Sequence, residues 1–295
     1  MPLKRSIIQA LYRAIYLAGK PLRGSGITIL SYHSLDDLGT PLSVSPGLFA
    51  AQMSALSELG CRTFTMSQVA ERLSSRRPFP SRAVAITFDD GFANFAEEGE
   101  PILRRYSFAA TVYVITGMVG RATQWTDRGR PLPSLPILGW EQIERLHAQA
   151  VEIGAHSATH GFLTQYSSPA LVNELVTPRL LLEERLGTAV RSFAYPQGDY
   201  DDLVVRAVRD AGYTTATTVD QGRAGHNSDP LRLPRLLVSN NTTPQVMQAF
   251  AVPTVGPADI AINLVLKGFL RRKRWPRRMP GEVQSTDTLP VPGRP

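Results

Sequence analysis

The feature that most constrains this chain is a repeated alternation. Short apolar runs rich in β-branched residues give way, again and again, to segments with the three-to-four spacing of helices. Runs at 27–32, 83–88, 109–115, 151–155, 192–195 and 214–219 predict strands. Several are apolar without polar interruption, as parallel strands covered on both faces are. Segments 46–59, 92–106, 140–149, 170–186 and 201–211 predict the intervening helices, with Gly60, Gly187 and Gly212 at their ends. Strand-then-helix order of this kind predicts an α/β fold, a barrel or part of one, with functional loops at one face. Residues 120–138, with Trp125 among them, read as a long loop near that face.

The bulk properties exclude several classes. The chain has 295 residues, 43% of them hydrophobic and 19% charged, which fits a globular protein with a sizeable core. Its single cysteine, Cys61, rules out an internal disulfide framework and any multi-cysteine zinc site. The net charge of +7 suggests a nucleic-acid partner until its position is considered. Lys267, Arg271, Arg272, Lys273, Arg274, Arg277 and Arg278 account for the excess, so the rest of the chain is close to neutral. With no RNP-like, zinc-finger or helix-turn-helix pattern, the expectation is no nucleic-acid partner.

Composition divides the chain into an N-terminal amphipathic segment (1–25), a folded domain (26–252) and a C-terminal segment (253–295). That last segment reads as a basic amphipathic helix followed by a proline-rich disordered tail. Ile262, Val265, Leu266, Phe269 and Leu270, next to the cationic cluster, suit peripheral contact with an anionic membrane surface; a solvated basic tail is the alternative. Lys4 and Arg5 before Ile7 and Ile8 resemble the start of a signal peptide, but Arg13 interrupts the apolar stretch and no cleavage site follows closely. The expected location is the cytoplasm or the inner face of the membrane.

Two motifs carry the chemistry. Residues 83–91 read Ala-Val-Ala-Ile-Thr-Phe-Asp-Asp-Gly, so Asp89 and Asp90 stand where an apolar strand meets a glycine. Adjacent side chains on a strand face opposite ways, but a turn permitted by Gly91 lets both carboxylates reach one cavity. A solvated turn is the bland reading of that tripeptide alone. Further on, residues 156–160 read His-Ser-Ala-Thr-His. At helical spacing His156 and His160 would share a face and a common ion. Two imidazoles and one carboxylate make a metal site, and the spare aspartate supplies a base, as metal-dependent hydrolysis requires. A two-histidine, one-carboxylate site also suits a non-haem iron oxygenase, against which the spare carboxylate counts.

In these motifs the chain resembles the NodB-type polysaccharide deacetylases, the fourth carbohydrate esterase family, from about residue 27 to about residue 238. Thr-Phe-Asp-Asp-Gly at 87–91 is similar to the family's first motif, and His-Ser-Ala-Thr-His to its second. The resemblance implies a distorted, incomplete (β/α) barrel and a hydrolase removing N-acetyl groups from an N-acetylated glycan. It implies Asp89 as general base and one divalent metal, zinc by family habit, on Asp90, His156 and His160.

The third motif is only partly kept, since 193–198 read Phe-Ala-Tyr-Pro-Gln-Gly. Gln197 takes the position whose main-chain N–H helps hold an oxyanion, a function that survives side-chain replacement. Tyr195 beside it is a second candidate for substrate binding. Ala194 occupies the place of the family's arginine, which partners the catalytic aspartate. Arg235, in Leu-Arg-Leu-Pro-Arg at 231–235, is the candidate substitute, with a surface arginine as the alternative.

The family's late catalytic histidine is missing as well. His33, ending an early predicted strand, takes the role of general acid, as in the poly-N-acetylglucosamine branch. Two rival functions stand beside this one, a hydrolase of the same fold acting on a non-sugar amide and a catalytically silent glycan-binding protein.

Overall fold

The computed structural model describes residues 26–127 and 130–252. The expectations for 1–25 and 253–295, amphipathic helices, basic tail and membrane contact included, lie outside the described residues.

Eight parallel strands form the main sheet: β1 (Thr28–Tyr32), β2 (Arg62–Phe64), β3 (Ala83–Phe88), β4 (Thr111–Val114), β5 (Glu152–Ala155), β6 (Ser192–Ala194), β7 (Thr215–Gln221) and β8 (Leu233–Leu237). Their order is β1-β8-β7-β6-β5-β4-β3-β2, and β1 also pairs with β3, from Thr28 against Val84 to Tyr32 against Phe88. That pairing closes a ring of seven strands. β2 pairs only with the first residues of β3, Ala83 to Ala85, and β4 takes over at Thr87 and Phe88. The result is the distorted barrel expected, one strand short of the eight in a complete (β/α) barrel.

Helices α1 (Pro46–Glu58), α2 (Met66–Ser74), α3 (Glu100–Arg105), α4 (Trp140–Ala148), α5 (Ser168–Leu186), α6 (Asp202–Asp210) and α7 (Pro244–Ala251) accompany the strands. Local chemistry sets their ends. Ser45, Thr65, Asp201 and Thr243 each accept an amide N–H from the first turn of the helix that follows. Gly187 closes α5 at φ 65°, as a left-handed cap should. All six residues of β3 are buried, because the barrel interior takes one face and the helices take the other.

Sequence patterning misses four elements. β2 is too short to show as a run. β8 reads Leu-Pro-Arg-Leu-Leu, where a proline and an arginine argue against a strand. Neither α2 nor α7, of 9 and 8 residues, was anticipated. The helix expected over 92–106 is a π-helical turn, Phe95–Gly99, leading into α3. Residues of the expected long loop pair back on themselves, Thr126–Asp127 against Arg130–Pro131, and Ile137 bridges to Phe92. Among the described residues, no helix is long and apolar enough to cross a membrane.

Candidate active site

Every candidate group follows the C-terminal end of a barrel strand or lies on one. After β3 the Asp89 N–H donates to the Tyr32 carbonyl at 2.9 Å, which carries the β1–β3 ladder one residue further. Asp90 and Gly91 then both take left-handed backbone conformations, φ 72° and 71°. Aspartate is among the few residues that tolerate this region. The turn replaces strand alternation and brings both carboxylates, buried, among the same group of side chains.

Asp90 Oδ1 lies 3.3 Å from His156 Nε2 and 3.3 Å from His160 Nε2. The three donor atoms lie within 4.8 Å of one another. Oδ1 is buried and yet accepts no hydrogen bond of good geometry among the described residues, so the three groups converge on a shared point. An N₂O set of this kind fits zinc and other first-row divalent ions.

The expected helical face is not how the histidines meet. Residues 156–160 form a turn after β5, with Ser157 and His160 left-handed at φ 61° and 65°. The turn folds the rings to within 4.9 Å of each other, centre to centre. The spacing thus points to the right pair, but a left-handed turn and not a helical face brings them together. The His156 Nδ1 faces the Ala194 carbonyl at 2.8 Å, which makes Nδ1 the protonated nitrogen and leaves Nε2 free to ligate. Burial pushes the Asp90 carboxyl up, but the close approach of the His156 and His160 rings, with the charge of His160 and His33, more than offsets it, and the group is held well below the usual carboxylate range. Burial lowers His156 in turn, and its carboxylate neighbours, Asp90 first, raise it above the ordinary imidazole value.

Asp89 has a different partner. Arg235, 1% exposed, donates from Nη1 to Asp89 Oδ1 at 2.6 Å and from Nη2 to Oδ2 at 2.7 Å. Its Nε donates to the Thr218 carbonyl at 2.9 Å and Nη1 also to the Thr87 hydroxyl at 3.1 Å. This is a two-pronged buried ion pair, and the surface-arginine alternative falls with it. Burial raises the Asp89 carboxyl and the Arg235 charge overrides burial, so Asp89 stays ionised below the ordinary carboxylate value. Thr87 and Thr218 complete the arginine's setting; a threonine in a buried apolar strand gives no signal of that kind in a sequence.

His33, immediately after β1, places Nε2 3.9 Å from Asp89 Oδ2, while Nδ1 is buried with no hydrogen-bond partner among the described residues. Burial lowers its pKa, and the pull of Asp90 and Asp89 does not restore it, which favours the neutral ring. Gln197 sits in the turn after β6 at φ 56°, its side-chain amide reaching the His160 carbonyl at 3.4 Å. Trp125, from the long loop, stacks on His160 with ring centres 5.2 Å apart and meets Phe92 edge-on.

One expectation is corrected. Tyr195 does not face a substrate: it is 1% exposed, its hydroxyl donates to the Leu231 carbonyl at 2.9 Å, and its ring packs between Phe193 and Tyr200. It follows β6 toward the helical layer, which its neighbour Gln197 escapes through the left-handed turn.

Comparison with known proteins bears on the fold that carries these groups. The sequence profile of the family described as "Polysaccharide deacetylase" matches residues 76–216. The poly-β-1,6-N-acetyl-D-glucosamine N-deacetylase of Escherichia coli K12 is 24% identical over 272 residues, covering 81% of this chain and 40% of that protein. The chain thus spans well under half the length of that relative. Among solved structures, IcaB from Ammonifex degensii superposes with a TM-score of 0.64 at 25% identity, covering 79% of this chain and 100% of that one. The Streptococcus pyogenes deacetylase PplD, solved with acetate, gives a TM-score of 0.67 at 24% identity, again with 79% and 100% coverage. His33 and Arg235 fall outside the span matched by the profile, although the barrel brings both to Asp89. Over residues 76–216 the chain thus matches the polysaccharide deacetylase family, and its barrel has the fold of these solved deacetylases.

Proposed function

We propose that this protein is a metal-dependent deacetylase that hydrolyses N-acetyl groups on a glycan built from N-acetylglucosamine-like sugars. The observation that carries the reading is the meeting of two sets of groups in one buried cluster. Asp90, His156 and His160 form a ligand set, and beside it Asp89 is held ionised by Arg235. The names of the matched relatives support the substrate class, and no binding role calls for a second carboxylate so confined.

A divalent ion on Asp90, His156 and His160, zinc by family resemblance, would supply Lewis acidity, polarising the acetyl carbonyl and making a water easier to deprotonate. The protein's own groups move the protons. Asp89 Oδ2, fixed by Arg235, takes a proton from the attacking water. His33 Nε2, neutral and 3.9 Å away, receives it and delivers it to the departing nitrogen as the C–N bond breaks. The water's other proton leaves on the acetyl group, so the products are a free amine and acetic acid, which ionises to acetate by giving that proton to the amine or to solvent. The Gln197 main-chain N–H donates to the developing oxyanion.

Acetate release from N-acetylglucosamine oligomers, with added zinc or cobalt, tests the reading beside Asp89→Asn. Metal-dependent release lost in the variant is the expected result. Release that the variant keeps overturns the mechanism. Bound metal with no release from sugars, but hydrolysis of another amide, overturns the substrate class alone.

A further inference from the structure

The turn that carries both histidine ligands is held by an acid that touches neither ring. Glu174 lies on α5, 6% exposed, on the stripe that otherwise presents Leu171, Leu175, Pro178 and Leu182 to the core. Its Oε2 accepts the amide N–H of Ala158 at 3.1 Å and of Thr159 at 3.0 Å. Its Oε1 accepts the Thr159 hydroxyl at 2.9 Å. These are two of the three residues between His156 and His160.

A carboxylate buried on the core face of a helix is costly, and packing alone would be served by an apolar side chain. What the carboxylate supplies is a partner for two successive amide N–H groups. A turn through left-handed Ser157 and His160 aims those groups away from any strand, and buried amides need partners. On its other side the turn is tied by its carbonyls, Ser157 accepting from Thr116 and Ala158 from Gly117. A side chain at 117 would come within 2.5 Å of that Ala158 oxygen, so the approach requires glycine. His156 is placed independently, by the strand bond from its N–H to the Val114 carbonyl and by its Nδ1 contact with Ala194. His160 has the turn to place it, with its own N–H on the Ser157 hydroxyl.

We propose that Glu174 is a positioning residue for the metal site, clamping the turn so that His160 is set against Asp90 and His156 before an ion arrives. The inference rests on the metal-site reading given above. A sequence signal exists for it, an acid among the leucines of the helix shortly after the second histidine.

The test titrates the full-length protein with Co²⁺ against a chromophoric chelator and records the visible spectrum of the bound ion. Glu174→Ala is expected to weaken Co²⁺ affinity by roughly 10–100-fold, the usual effect of losing an outer partner of a ligand, and to alter the spectrum. Glu174→Gln, which keeps an accepting oxygen, is expected to recover most of the affinity. Should the alanine variant not fold, Glu174→Asp has to show the loss, since it keeps the charge but withdraws the oxygens by one methylene. Wild-type affinity and spectrum in a folded Ala or Asp variant, with only the melting temperature lowered, overturn the inference and leave the metal site standing. No Co²⁺ binding by the unmodified protein overturns the metal site itself and the inference with it.

Discussion

Arg235 and Asp89, 146 residues apart in the chain, join through both guanidinium Nη atoms and both carboxylate oxygens at 2.6 and 2.7 Å, buried inside the barrel. Removing one partner of such a pair leaves the other charge buried and alone. Arg235→Ala is therefore expected to cost about 3–5 kcal/mol of stability, read from denaturant unfolding. It also removes the charge that overrides burial at Asp89, so the carboxyl pKa rises. The base is then protonated up to a higher pH, and the acid limb of the rate profile moves to higher pH. An unchanged acid limb would show that Asp89 is not the titrating base. Arg235→Lys keeps a charge without the fork and is expected to fall between the two.

His33 is close to Asp89 but is not among the three groups that converge on the proposed ion. His33→Ala is expected to lower kcat by roughly 10²–10⁴-fold, the usual range for general acid–base catalysis, with metal content unchanged. Metal analysis beside steady-state kinetics separates the two roles. Loss of the ion in this variant would make His33 a ligand instead.

Chelation is expected to abolish acetate release, and zinc or cobalt to restore it. Asp90→Ala, His156→Ala and His160→Ala are each expected to prevent restoration, checked by metal content after dialysis. Restoration in any of the three removes that residue from the ligand set.

Tyr195→Phe tests the corrected reading of that residue. Losing the hydrogen bond to Leu231 is expected to cost about 1 kcal/mol while KM for the glycan stays constant. A rise in KM would return Tyr195 to the substrate.

Cys61 is buried, and burial pushes its thiol up to about 12 against a smaller downward pull from Arg82. At pH 8 roughly one thiol in ten thousand is then ionised, and the thiolate is the reactive form. The folded protein is expected to resist a thiol reagent that labels it promptly once denatured. Rapid labelling of the native protein would show that this part of the core opens readily.

Much of the site was legible because its chemistry is local. Asp89, Asp90 and Gly91 follow one strand, and His156 and His160 share one turn, so adjacency and spacing announced them. Glu174 left a fainter mark, an acid among the leucines of α5. Tyr195 misled for the opposite reason, since position beside a motif says nothing about which way a ring turns.

The alternation of strands and helices, the aspartate pair at a strand end and the histidine pair were determined by the sequence, through backbone propensity, apolar periodicity and residue spacing. Only the tertiary structure decided that Arg235 belongs to Asp89. β8 lies beside β1 and β1 beside β3, and this closure sets the guanidinium against a carboxylate from a distant part of the chain. It likewise decided that His33 lies within 3.9 Å of Asp89, and that the histidines meet in a left-handed turn rather than along a helix. Local rules act over a few residues, whereas burying a charge requires a partner wherever in the chain the closed barrel provides one.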